Sequence, residues 1–222
     1  MSAGRITFVG DSCVALSFGD EGAAENRIDP TVNARCISIA VALERLAVKG
    51  VRDVVPSYNA VTLHYDSMQV GRHELAEDLQ RAASVDRAEA GADIEAVEIP
   101  VRYGGEFGPD LRSVAEFAGC ADDEVVRLHS TRVYRVYMVG FLPGFAYMGT
   151  VEDRIAMPRL ETPRPRVAAG SVGIAASQTG IYPCDSPGGW RVIGRTTIEM
   201  FDLARPTPSL LKAGDRVKFV PV

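Results

Sequence analysis

Four arginines, Arg154, Arg159, Arg164 and Arg166, fall within thirteen residues, two of them in TPRPRV. A guanidinium binds a carboxylate or phosphate with a two-pronged fork. Pro163 and Pro165 put the two later forks on a stiff, extended backbone. Each arginine alone reads equally well as a solvated surface charge; together they point to an anion site. A few residues on, Gln178, Thr179 and Tyr182 offer an amide, a hydroxyl and a phenol beside Gly180, enough to donate and accept around a small polar ligand. The competing reading is a hairpin in which Thr179 caps a turn. Ser186, in SPGGW, stands in a turn but lacks the GxSxG spacing and a following helix, so a Ser-His hydrolase is not indicated. Trp190 serves as a pocket wall or as barrel core. His129, between a helix and a strand, reads as a general base or, more commonly at such a boundary, as a structural hydrogen-bonder.

These residues lie in or near a stretch, 140–195, with more Gly and Pro than ordinary loops need. Gly lets a backbone approach a ligand closely and Pro orders a loop cheaply, so the working site is expected here. The elements that must hold it read as follows. Short strands over 5–9 and 13–18 form a hairpin. Asp29-Pro30 starts a helix that carries Val32, Cys36, Ile39, Leu43 and Leu46 at helical spacing and stops at Gly50. Strands over 51–55 and 60–65 and a helix over 68–83 complete a β-β-α-β-β-α order. This predicts a small α/β sandwich with helices on one face of an antiparallel or mixed sheet. The polar, small segment 84–92 reads as a linker between residues 1–83 and 93–222. Beyond it come a strand over 94–101, a helix from Pro109 to Gly119, a helix over 122–130 and a strand over 133–140. Short strands at 171–175, 190–194, 197–201 and 216–220 follow. Short strands split by Gly/Pro turns predict a closed or nearly closed β-barrel, an α+β chain in all.

Composition narrows the function. Hydrophobic residues make up 46% and charged residues 24% of the 222, as in a globular protein. A net charge of −5 argues against a nucleic-acid binder. Cys13, Cys36, Cys120 and Cys184 are scattered, and His64, His73 and His129 fit no zinc spacing. Reduced thiols and no metal are expected. No leader pattern and no run long enough to span a bilayer occur, which predicts a cytoplasmic protein with no membrane partner. The Gly-rich GGEFGPDL matches neither phosphate-loop pattern, so any use of ATP is not of the P-loop kind and leaves room for a partner to supply much of the site.

The segments GEFGPDL, LHSTRVYRVYMVGFLPGFAYMG, TPRPRVAAGSVGIA, QTGIYPCDSPGGWRVIGRT and GDRVKFVPV together resemble the allophanate hydrolase subunit 1 family. The same family supplies the B component of 5-oxoprolinase and includes the kinase A inhibitor of sporulating bacteria. The resemblance is dense from 98 to 222 and loose before about 90; Ala146, Met148 and Cys184 depart mildly from its pattern. It implies a cyclophilin-like barrel after a small α/β domain. It implies partners, subunits C and A, with which the family opens 5-oxoproline to glutamate using ATP, as a hetero-oligomer inactive in its separate parts. The alternatives it carries are an inhibitor of a sensor histidine kinase and the carboxyltransferase part of a urea carboxylase system. His129, Phe145, Tyr147, Arg164, Arg166, Gln178, Tyr182 and Trp190 lie in its most distinctive motifs. His129 is the catalytic candidate they offer; the others, with Thr179 and Ser186, are candidates for holding a small anionic substrate.

Overall fold

The computed structural model describes residues 4–19, 28–84 and 95–222. The chain divides into two compact units, Met1–Ala92 and Asp93–Val222. The linker expected over 84–92 lies outside the described residues apart from Ser84.

In the first unit, β1 (Arg5–Val9), β2 (Cys13–Ser17), β3 (Val51–Pro56) and β4 (Ala60–Tyr65) form one antiparallel sheet in the order β1-β2-β4-β3. Helix α1 (Pro30–Leu46) and helix α2 (Arg72–Ser84) pack against each other. Cys36, Ile39 and Leu43 of α1 and Leu75 and Leu79 of α2 share a core with Val14, Leu16, Val61 and Leu63 of the sheet. Asp29 caps α1 by accepting from the Thr31 and Val32 N–H groups. The helix closes at Ala47, which takes a left-handed conformation, three residues before the expected stop at Gly50. Helix α2 starts four residues later than the periodicity predicts. The Asp66 carboxylate accepts from the Met68 N–H and the Gln69 amide, turning the chain before a helix can begin.

The second unit is a closed barrel. Its strands are β5 (Val97–Tyr103), β6 (Val133–Val139), β7 (Ala146–Gly149), β9 (Ser171–Ala175), β10 (Gln178–Ile181), β12 (Arg191–Arg195) and β13 (Arg216–Pro221). They close in the order β10-β7-β6-β13-β5-β12-β9, with β13 and β5 parallel and the other pairs antiparallel. Inward residues, among them Ile99, Val101, Val136, Met148, Val172, Ile174, Ile181, Ile193 and Phe219, form one buried cluster. Helices α3 (Leu111–Ala118) and α4 (Asp122–Ser130) contribute Val114, Ala115 and Val125 to it. A two-stranded ladder, β8 (Arg164–Val167) with β11 (Ser186–Gly188), lies outside the barrel order.

Two expectations need correction. No strand forms over 197–201: the Thr196 hydroxyl accepts from the Ile198 N–H, and only Phe201 pairs, in an isolated bridge to Ser209. Helix α3 begins at Leu111 rather than Pro109, because the Asp110 carboxylate makes no cap and reaches elsewhere, to Arg164 and the Val192 N–H. Gly108 fits this join because a Cβ there would collide with the Ile193 carbonyl oxygen.

Candidate functional site

Strands β9 and β10 separate two environments. Side chains alternate across a strand, so Val172, Ile174, Thr179 and Ile181 enter the barrel while Gly173 and Gly180 face out. The two glycines are cross-strand partners and make a bare floor. Phe145 and Trp190 lie directly on it: a Cβ on Gly173 would meet the Trp190 Cβ at 3.0 Å, and one on Gly180 would meet the rings of both Phe145 and Trp190 at 3.1 Å.

Phe145 is the hub of the aromatic group above this floor. Its ring centroid is 4.8 Å from Tyr147, 5.3 Å from Tyr182, 5.4 Å from Trp190 and 5.5 Å from Phe141, all edge-to-face. Such pairs gain from the ring quadrupoles as well as from burial. Phe145 and Tyr182 are buried; Tyr147 and Trp190 are half-buried and present the surface a ligand can touch. Burial raises the phenol pKa of Tyr147 and Tyr182, so both stay protonated hydroxyls; the Trp190 backbone partly offsets the effect at Tyr182. Gly188 lets β11 close over Tyr182: a Cβ there would collide with the phenol oxygen.

Arg164 stands at the edge of this group, opposite Gly188 in the β8–β11 ladder. Its terminal nitrogens donate to both Asp110 oxygens at 2.9 and 2.7 Å, and the Val192 N–H donates to Asp110 at 2.7 Å. Asp110, which lies in the GEFGPDL segment but is not among the candidate site residues, thus ties helix α3, β8 and β12 together. The four arginines have no shared partner among the described residues. Arg154 lies 3.7 Å from Glu124, and Arg159 is exposed. Arg166, with a side chain 77% exposed, pairs with Asp185 at 2.5 Å. The Ala169 N–H and then Arg166 hold the Asp185 carboxyl below its usual range.

Ser186 faces inward on β11 and its hydroxyl has no hydrogen-bond partner among the described residues. Gln178, half-buried at the start of β10, pairs with Gly149 and Ala175.

His129 and Thr179 belong to the barrel interior. The Thr179 hydroxyl donates to the Gly173 carbonyl at 3.0 Å, so it can only accept from His129 Nε2 at 2.9 Å. His129 Nδ1 then accepts from the Tyr103 hydroxyl at 2.8 Å. This assignment makes the ring neutral, with its proton on Nε2. The ring is fully buried against Phe219, 4.6 Å away. Burial pulls its pKa down to about 3 and pushes that of Tyr103 up. No nitrogen of His129 is left to meet a ligand outside the barrel.

The outer face therefore gathers two half-buried aromatic rings, two phenol hydroxyls and, at its edge, a guanidinium. No group of three His, Cys, Asp or Glu suited to a metal occurs among the described residues. No helix among them is long and apolar enough to cross a membrane.

Comparison with known proteins agrees with this architecture. Residues 4–211 match the family described as carboxyltransferase domain, subdomain C and D. A protein of Bacillus subtilis, named as the B component of 5-oxoprolinase, is 41% identical over 97% of this chain and 92% of its own. One of the same name from Haemophilus influenzae is 51% identical over 56% of this chain and 58% of its own. The crystal structure of TTHA0988 superposes with a TM-score of 0.82 at 40% identity over 95% of this chain; the chain spans only 40% of that protein's length. The Kluyveromyces lactis urea carboxylase, 18% identical, shares the fold with a TM-score of 0.75 over 99% of this chain and 22% of its own.

Proposed function

The chain belongs to the carboxyltransferase family of subdomains C and D, and from that premise we propose that it is the B component of an ATP-dependent 5-oxoprolinase. It would act with subunits A and C to open 5-oxoproline to L-glutamate. The observation that carries this reading is the 41% identity, over nearly the whole of both chains, to the Bacillus subtilis protein of that name. The site is compatible with it. 5-Oxoproline is a flat five-membered lactam with one carboxylate; Tyr147 and Trp190 suit the ring, and Arg164 suits the anion.

A lactam is a stable amide. Phosphorylation of its carbonyl oxygen makes a better electrophile for water, and this is the use for ATP. The Gly-rich turn 104–108 does not fit a nucleotide phosphate: the Gly104 N–H donates to Ile193, and the Phe107 and Gly108 N–H groups donate to Gly104. In this reading ATP is used by the assembled complex. The part of this chain is to bind and orient the ring, with His129 holding β10 from inside.

The test is glutamate release from 5-oxoproline and ATP by the chain alone and by the chain with subunits A and C. Turnover only in the mixture is expected; full turnover by the isolated chain overturns the reading. A second reading, a carboxyltransferase part of a urea carboxylase system, is favoured by the family match over 4–211. It requires a biotin-bearing partner, and purification of the tagged chain from its host with identification of what accompanies it separates the two.

A further inference from the structure

We infer that the Asp110–Arg164 pair is a carboxylate receptor in which Asp110 is the positioning residue and the unused edge of Arg164 is the contact; this rests on the function proposed above. A guanidinium has five N–H donors. Asp110 takes one from Nη1 and one from Nη2. The other edge, made by Nε and the second N–H of Nη2, has no hydrogen bond among the described residues. It is a second fork, in the plane of the first and aimed away from it. The side chain of Arg164 is 32% exposed while that of Asp110 is 9% exposed. A ligand can therefore reach the arginine but not its anchor.

The anchor is rigid. Asp110 also accepts from the Val192 backbone, within a barrel strand, and its own N–H donates to the Val192 carbonyl at 2.9 Å. A planar fork held at one edge can turn neither about its long stem nor in its plane, so its second edge is preorganised. It lies beside the ring site, with Gly188 as its ladder partner and its charge felt at the Tyr182 phenol. The buried, unpartnered Ser186 hydroxyl lies two residues before Gly188 on the same strand. That is a second unspent polar group in the same ladder.

Charge selects the ligand class. Arg164 and Asp110 together carry no net charge, and Asp110 repels a second anion in proportion to that anion's charge. A monoanionic carboxylate on a small ring fits the free edge better than a phosphate dianion. Arg166, more exposed and paired at its Nε and Nη2 to Asp185, has that same edge occupied.

Trp190 is the only tryptophan of the chain and forms the wall of the site, so its emission reports on binding. The full chain is titrated with 5-oxoproline, with 2-pyrrolidinone (the same ring without the carboxylate) and with inorganic phosphate. The unmodified chain should prefer 5-oxoproline over 2-pyrrolidinone by at least about tenfold. Asp110→Asn, which keeps size but loses the fork, and Arg164→Lys, which keeps charge but loses the second edge, should each cut that preference to about threefold or less. Binding of 2-pyrrolidinone should be unchanged. A merely structural role would weaken both rings alike and leave the preference intact, which overturns the proposal. So would an unmodified chain that binds both rings equally, or neither, or binds phosphate as well as it binds 5-oxoproline. If the reconstituted complex turns over 5-oxoproline but the preference survives in both variants, the receptor fails and the function stands. If the complex is inactive and the preference collapses as expected, the function fails and the receptor stands.

Discussion

The barrel interior behind β9 and β10 and the β8–β11 ladder outside the barrel order use their polar side chains in opposite ways. Inside, Tyr103, His129, Thr179 and the Gly173 carbonyl form a chain in which each proton has one acceptor. Outside, Arg164 keeps a spare edge and the Ser186 hydroxyl has no partner among the described residues. A buried polar group that is fully bonded stabilises one structure; one that is not bonded costs free energy until something meets it. The contrast separates scaffold from candidate site better than residue type does, since histidine is chemically the more versatile of the two.

The contrast can be broken from the inside first. His129→Leu leaves the Tyr103 hydroxyl without its acceptor and the Thr179 hydroxyl with only the Gly173 carbonyl, and should destabilise the chain by about 3 kcal/mol, read as a lowered urea midpoint. The ring titrates at about 3 in the folded chain against 6.5 for a solvated imidazole. A depressed histidine pKa means that the unfolded chain binds the proton more readily. Its stabilising contribution is full above about pH 6.5 and is lost as pH falls towards 3, with a slope approaching about 1.4 kcal/mol per pH unit. Urea midpoints from pH 7 to pH 4 should show that slope in the unmodified chain and a shallower one in His129→Leu. Equal slopes would mean that the histidine is not held neutral.

The floor gives the next largest effect. Gly180→Val puts branched carbons against Phe145, Trp190 and the Ala146 carbonyl, all within 3.1 Å of the new Cβ. Overpacking of this kind costs about 1–3 kcal/mol, and the displaced ring should red-shift Trp190 emission. An unshifted spectrum with unchanged stability would show that the floor is not in contact with the rings. The smallest effect is expected at Arg166→Ala. An ion pair this exposed contributes little, and thermal unfolding should hardly move. A loss of ligand binding equal to that of Arg164→Lys would restore the two arginines to a common anion site.

Much of the scaffold was legible in the residues. Period-two alternation and helical spacing placed β1 to β4, α1, α4, β9 and β13 within a residue or a few, because those segments are long enough for burial to impose a pattern. Strands β7, β8, β10 and β11 are three or four residues long and rich in Gly or Pro, too short to show alternation; their partners distant in sequence, not their own propensity, make them strands. Of the candidate site residues, Phe145, Tyr147, Tyr182 and Trp190 converge as their place in one Gly/Pro-rich stretch suggests. Gly173 and Gly180 were not, although small residues next to buried apolar ones along a strand are a readable sign of something lying on the outer face.

The sequence by itself determined which chemistry the chain owns: its arginines, its single tryptophan, its lack of a phosphate loop and the order of its elements. Only the tertiary structure decided which of those groups are spent. Arg164 and Arg166 are two residues apart and chemically identical, yet one is clamped by a nearly buried Asp110 from 54 residues earlier and the other pairs with an exposed Asp185. His129 and Thr179 are 50 residues apart and meet only because the barrel closes. Hydrogen-bond satisfaction depends on distances that chain closure sets, and no local pattern in a sequence encodes them.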